Sequence, residues 1–295
     1  MKKTGIFRKL KRRPLLAAAF AVIALYAAVC AWVVSGWNVP SWEKVDYARS
    51  YQPPSARHWL GTDVHGRDVL AKTVWGARTA LTVALTASVL AVAIGLVLGL
   101  AAGYLGGVVD DVVTWIYSTL QSVPYYLLIL AFAFVLQGKS ISILGKAFRL
   151  DGIAAVYIAL GLTGWVGLCR LVRGETIKHR EREYVLAARA LGASRARIMF
   201  RHLTPNVFHL VIITFTLGFV SYIHAEVILS FLGLGAKRVP SWGVMIDDAK
   251  LELARGIWWQ LAAAAGAIFL ISLALHVVGD YLRDVLDPKL RGTKR

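Results

Sequence analysis

The chain has 295 residues, 57% of them hydrophobic and only 17% charged, and its mean hydropathy of +0.59 means more apolar surface than one soluble core could bury. An ordinary soluble globular domain is excluded, and lipid is the natural solvent. A formal net charge of +17 raises nucleic acid as a partner, but the positions of the basic residues along the chain fit a membrane topology instead.

A helical crossing of a hydrocarbon core about 30 Å thick needs roughly 20 apolar residues. Six windows reach that length. The first, Leu15 to Val34, follows the basic tail MKKTGIFRKLKRRP. It is longer than the core of a secretion signal and is followed by no small-x-small cleavage site, so it reads as a retained helix. In the loop 37–77, Asp63, His65 and Asp68 near His58 tempt a metal reading. Gly61-Thr62-Asp63 and Gly66-Arg67-Asp68 read better as turns, with Asp68 capping a helix that leads into the second window, and no metal site is expected.

The second window, Thr79 to Ala102, carries Gly95, Gly99 and Gly103 at four-residue intervals. Such a stripe lets another helix approach closely, and a packing role is expected. The third, Val112 to Leu136, contains Pro124, which is tolerated where neighbouring helices satisfy the freed backbone. Gly138-Lys139-Ser140 is no P-loop, because Ala133 stands where the motif needs glycine. The fourth window is Ile153 to Leu171, the fifth Val207 to Leu232 and the sixth Ile257 to Val278. None alternates as a lipid-facing strand would. The expected fold is an all-α integral membrane protein of six transmembrane helices.

Seven Lys/Arg precede the first window, nine lie between Arg170 and Arg201, and five follow residue 281. With both termini cytoplasmic, this is the positive-inside bias, and it needs no nucleic acid. The expected organisation is a basic tail 1–14, a first helix and outer loop 15–78, a five-helix core 79–284 and a tail 285–295. The core includes a cytoplasmic loop, 173–205. In that loop Lys178 to Leu191 is rich in helix formers, Gly192 suits a C′ position, and Ser194 suits the N-cap of a second short helix through Ile198 and Phe200. Ala187, Ala188 and Leu191 would form a shallow apolar ridge.

The histidines form no HExxH pair or zinc-like cluster, no GxSxG occurs, and Cys30 and Cys169 fall inside spans as packing thiols. No catalytic residue is expected. Glu226 is the one acid well inside a window, about 28 Å along the fifth helix from Val207. With Tyr222 one turn before it, Glu226 would line the outer part of a pathway or bond to a neighbouring helix, and His224 points to another side.

The loop sequence Glu183-Tyr184-Val185-Leu186-Ala187-Ala188, followed by Gly192 and Pro205, resembles the permease subunits of binding-protein-dependent ABC importers of the dipeptide, oligopeptide and nickel group. LGTDVHGRDVL (Leu60 to Leu70), SFLGLGAKRVPSWGVM (Ser230 to Met245) and the terminal LDPKL extend the likeness. One departure is Leu186, where the generic motif has Glu before the paired alanines. The resemblance implies that Glu183, Tyr184, Ala187, Ala188, Leu191, Gly192, Ala193, Arg195 and Pro205 form a coupling element docking on cytoplasmic ATPase subunits. It implies no cofactor on this chain, with ATP and magnesium held by those partners. A second permease subunit, against which the glycine stripe could pack, and an extracytoplasmic solute-binding protein complete the assembly. Its setting would be the bacterial plasma membrane, and its solute a peptide, a nickel complex or another small molecule. An ion-gradient-driven secondary transporter is the alternative.

Overall fold

The computed structural model describes residues 13–143, 146–150, 152–235 and 239–286. Most of both expected tails, all of the LDPKL motif after Leu286, and residues 236–238 of the Ser230 to Met245 segment lie outside these ranges.

The apolar windows become helices longer than lipid alone requires. Helix α1 is Pro14–Ser35, started by Pro14, whose missing N–H is harmless in a first turn, and closed by Gly36 in the left-handed region at φ 68°. It is largely exposed and packs on the last helix, where the Tyr26 hydroxyl donates to the Ala267 carbonyl at 2.8 Å. Helix α2, Val69–Leu105, runs 37 residues, and Asp68 caps it by accepting from the Ala71 amide at 3.0 Å.

The third window is not one helix. It forms α3 (Gly107–Gln121) and α4 (Tyr125–Leu136), bent by 98°. Pro124 is the physical reason: its ring clashes with the preceding turn and it supplies no N–H, so the helix ends and restarts. A short antiparallel hairpin, β1 (Ser140–Ile143) with β2 (Lys146–Arg149), follows. Helices α5 (Ile153–Gly164) and α6 (Val166–Arg180) make the fourth crossing, interrupted at Trp165.

The expected first loop helix is split. Its N-terminal part belongs to α6, and α7 (Glu183–Ala190) begins after a break at Glu181 and Arg182, where the Arg182 backbone is extended. The second loop helix is not separate either. One turn, Arg195–Arg197, and a π-helical segment, Ile198–Leu203, run directly into α8 (Thr204–Phe231). An ordinary α turn would drive the Pro205 ring into the Arg201 carbonyl, and the wider π turn relieves the clash. Thr204 Oγ1 donates to the Met199 carbonyl at 3.0 Å. Helix α9 (Trp242–Leu253), N-capped by Ser241, and helix α10 (Trp259–Leu286) complete the chain.

The described chain thus holds five helices long and apolar enough to cross a membrane, or six if the bent α3–α4 pair is one span. Helix α2 lies at the centre, and its glycine stripe is pressed against α6 and the Trp165 break that precedes it in the same chain. A Cβ on Gly95 would lie 2.8 Å from the Trp165 carbonyl, one on Gly99 2.8 Å from the Cys169 carbonyl, and one on Gly103 2.7 Å from the Arg173 carbonyl. The stripe is therefore filled within the chain rather than left open to a second subunit.

Candidate coupling elbow and translocation cleft

Two cores are built around α2. The larger fills its middle and its N-terminal half, while a separate one gathers Leu100, Leu168, Val172, Val185, Ala188, Ile198 and Leu203 at its C-terminal end. Helix α7 turns Val185 and Ala188 into this second core, so the short helix is fastened to α2, α6 and the start of α8. The expected ridge is divided as a result. Ala188 is buried, whereas Leu186, Ala187 and Leu191 face outward, with Leu191 88% exposed. The sequence spacing allowed all three residues on one face. The side that apolar burial selects puts Val185 and Ala188 inward.

The elbow after α7 closes as a Schellman motif. The Ala193 amide donates to the Ala188 carbonyl and the Gly192 amide to the Arg189 carbonyl, both at 3.0 Å, with Gly192 at φ 76°. Ser194 then caps the next turn through the Arg197 amide at 3.3 Å. Tyr184 faces its own chain: its hydroxyl lies 3.0 Å from His179 Nδ1 and accepts from Asn206 Nδ2 at 3.3 Å, which links α7 to α6 and α8. Glu183 and Pro205 are exposed. Ala193 and Arg195 line an open cleft of about 570 Å3 with Tyr104 and Arg189.

A larger cleft of about 760 Å3 opens where the helices break. The α3–α4 bend, the Gly164 to Gly167 interruption and the 213–222 face of α8 line it, and no lining residue carries a charged side chain. Tyr222 is among the lining residues, with its hydroxyl so close to Gly164 that a Cβ there would come within 2.1 Å of it. Glu226 does not share that surface. It is 1% exposed, accepts from Ser230 Oγ at 2.6 Å, and sits where α8 meets α9 through the close approach of Gly243 to Ser230. His224 contacts the Ser272 hydroxyl at 3.0 Å on another side.

At the opposite end of α2 the Leu60 to Leu70 segment forms a polar clamp. Asp63 accepts from the amides of His65 and Arg67, from Arg67 Nε and from Lys72 Nζ, at 2.8 to 2.9 Å. His58 pairs with Asp68 at 2.8 Å. The acids once weighed as metal ligands are thus occupied by turn amides, a helix cap and cations. Lys72, buried, also reaches Gln260 of α10 at 2.8 Å and Asp248 of α9 at 3.3 Å. Trp259 Nε1 donates to the Thr62 carbonyl at 2.9 Å.

Burial alone would push the Asp63 carboxyl up, but the charge and hydrogen bond of Lys72 and the Arg67 contacts outweigh it and hold it below the usual range. Glu252 of α9 lies beside this clamp, 2% exposed, with neither carboxylate oxygen closing a hydrogen bond of normal geometry. Burial pushes its pKa up to about 7, against the pull of Lys72 and with the push of Asp63. Sequence reasoning missed Lys72, Asp248, Glu252 and Gln260, which meet only in the folded chain. The one available signal was the Asp68 cap, which places Lys72 inside the helix and so in need of partners.

A family model described as "Binding-protein-dependent transport system inner membrane component" matches residues 95–292. A dipeptide transport system permease protein of Bacillus subtilis is 38% identical over 97% of this chain and 85% of its own length. An oligopeptide transport system permease protein of the same organism is 36% identical over 85% of this chain and 80% of its length. In fold, the chain is similar to an inward-facing methionine ABC transporter, with a TM-score of 0.54 at 16% identity, over 74% of this chain and 96% of that one. The chain belongs to the family of binding-protein-dependent transport system inner membrane components, and it is a multi-pass membrane permease subunit of such an importer.

Proposed function

We propose that this permease passes a peptide-like solute through the uncharged cleft at the helix breaks, driven by cytoplasmic ATPases that act on the Glu183 to Leu191 helix. The observation that carries the reading is the build of that helix. One face is locked into the membrane core through Val185 and Ala188, and the other exposes Leu186, Ala187 and Leu191 beside the Gly192 elbow. A push on the exposed face reaches α2, α6 and α8 together, and such a coupling is typically about 1–3 kcal/mol. Glu183 and Leu191 would touch the ATPase, while Tyr184, Ala188, Gly192 and Pro205 set the shape of the element.

The peptide class is supported by the names of the relatives, and the wall of the 760 Å3 cleft suits it. Polar groups such as Gln121, Ser122, Thr163 and Ser221 can wet the backbone of a passing peptide, and a wall without charge does not trap its termini. Selection would then rest with an extracytoplasmic binding protein, and a second permease subunit would close the open side of the cleft. ATP and magnesium would be bound by the ATPases, the chain itself carrying out no catalysis. The basic segments would face the cytoplasm of a bacterial cell, across its plasma membrane.

The test is co-purification with the ATPase subunits and measurement of ATP hydrolysis stimulated by loaded binding protein. Leu191→Arg should leave the melting temperature unchanged and reduce stimulation at least tenfold. Full stimulation in that variant, or uptake that survives ATP depletion but collapses with an ionophore, refutes the reading.

A further inference from the structure

Helix α3 is a rod between two breaks. At its start Gly106 and Gly107 both hold positive φ, 68° and 52°, and beyond its end stands Pro124 with the 98° bend. A Cβ on Gly107 would meet nothing, so no neighbour braces that joint. Along the rod Val113 and Tyr117 are buried, while Val108, Val112 and Trp115 are exposed. A segment jointed at both ends and held by so little apolar contact swings unless something ties it.

The tie comes from α6. Arg173 grips the Asp110 carboxylate with two prongs, Nε donating to one oxygen and Nη2 to the other, the second at 2.6 Å. Thr114 Oγ1 donates to the same carboxylate at 3.5 Å. One turn earlier on α6, Arg170 Nη1 donates to Gln121 Oε1 at 3.2 Å. Asp110, Val113, Thr114, Tyr117 and Gln121 recur at helical spacing and share one face of α3. Asp110 and Gln121 stand about 16 Å apart along that face, so two arginines one turn apart hold both ends of the rod.

The root of Arg173 is fixed. Its carbonyl lies 2.7 Å from where a Cβ on Gly103 would stand, so α2 and α6 are packed as one body. At its C-terminal end α6 meets α7 through the Tyr184 contact with His179. The far end of α3, Leu120 and Gln121, is part of the wall of the 760 Å3 cleft.

We propose that Arg173 and Asp110 are positioning residues for transport. Their ion pair makes α3 follow the α2–α6 body, so that a push received at α7 moves the cleft wall instead of being lost at the glycine joint. Arg170 and Gln121 steady the cleft end of the same rod. This role rests on the coupling reading of α7 and extends it to a helix that α7 does not touch.

Two measurements on the complete importer test it. Spin labels at Trp115→Cys and Lys178→Cys, in a Cys30→Ser background, report the distance from α3 to α6 by pulsed electron paramagnetic resonance. With the ion pair intact the labels should give one narrow distance, unchanged on adding ATP and vanadate, and Asp110→Asn should broaden it at least twofold. A distance that is already broad, or that shifts with nucleotide, in the protein with its ion pair intact overturns the proposal. In the stimulated ATP hydrolysis assay, Asp110→Asn and Arg173→Gln should each cut stimulation at least fivefold, since coupling between two sites is reciprocal. Asp110→Asn/Arg173→Gln should lose no more than either alone, and Asp110→Glu, which keeps the pair, should stay within twofold of the native protein. Undiminished stimulation in Asp110→Asn, or a double-variant loss equal to the product of the single losses, overturns the proposal. Leu191→Arg separates the two readings: full stimulation there removes the coupling role of α7 and this link with it, whereas loss there beside full stimulation in Asp110→Asn removes this link alone.

Discussion

Glu252→Gln removes a carboxyl that the fold buries, 2% exposed, beside Lys72, Asp63, Asp248 and the Val64 backbone amide. Folding raises its pKa from 4.5 to about 7. At about 1.36 kcal/mol per unit, the folded state is disfavoured by up to roughly 3 kcal/mol once the group must ionise. The direction is fixed by the raised value. Folding takes up a proton, so the contribution is fully present below pH 4.5 and is lost as pH rises through about 7. The wild-type melting temperature, followed by tryptophan fluorescence in detergent from pH 4.5 to 7.5, should therefore fall by several degrees, at about 2–4 °C per kcal/mol. Glutamine, neutral throughout, should flatten that slope and melt above wild type at pH 7.5. An identical pH slope in both proteins would refute the reasoning, because the carboxyl would then not be desolvated in the folded state.

Three further outcomes are expected. Gly99→Ala puts a methyl 2.8 Å from both the Cys169 carbonyl and Val172 Cβ and should lower stability by about 1–3 kcal/mol, whereas Gly174→Ala, with open space around it, should be neutral or stabilising; both are read from melting curves. Gly192→Ala meets no neighbour but holds φ at 76°, so about 1–2 kcal/mol of backbone strain should appear as faster amide exchange at Gly192 and Ala193. In a Cys30→Ser background, Ser221→Cys should react with a water-borne thiol reagent through the 760 Å3 cleft, while native Cys169, buried at 0% exposure, should not react until the protein unfolds.

How much was legible in advance follows from the range of each interaction. The apolar windows set the number and class of the helices, because lipid thickness acts on local composition. The Asp68 and Ser194 caps and the Gly192 elbow were readable because each is closed by residues within a few positions of itself. Pro124 marked the place of a break, but a proline permits anything from a kink to a full stop, and only packing set the 98° bend that opens the cleft. The glycine stripe declared a close approach without its partner, and the fold supplied α6. Ala188 faces inward rather than joining Ala187 on the surface because the second core needs Val185, a choice made by residues on α2, α6 and the π-helical turn. Lys72 meets partners 176 and 188 residues away, at Asp248 and Gln260. Helix type and capping are local in the chain and so were fixed by sequence alone, whereas burial, clefts and ion-pair networks join distant segments and had to wait for the fold.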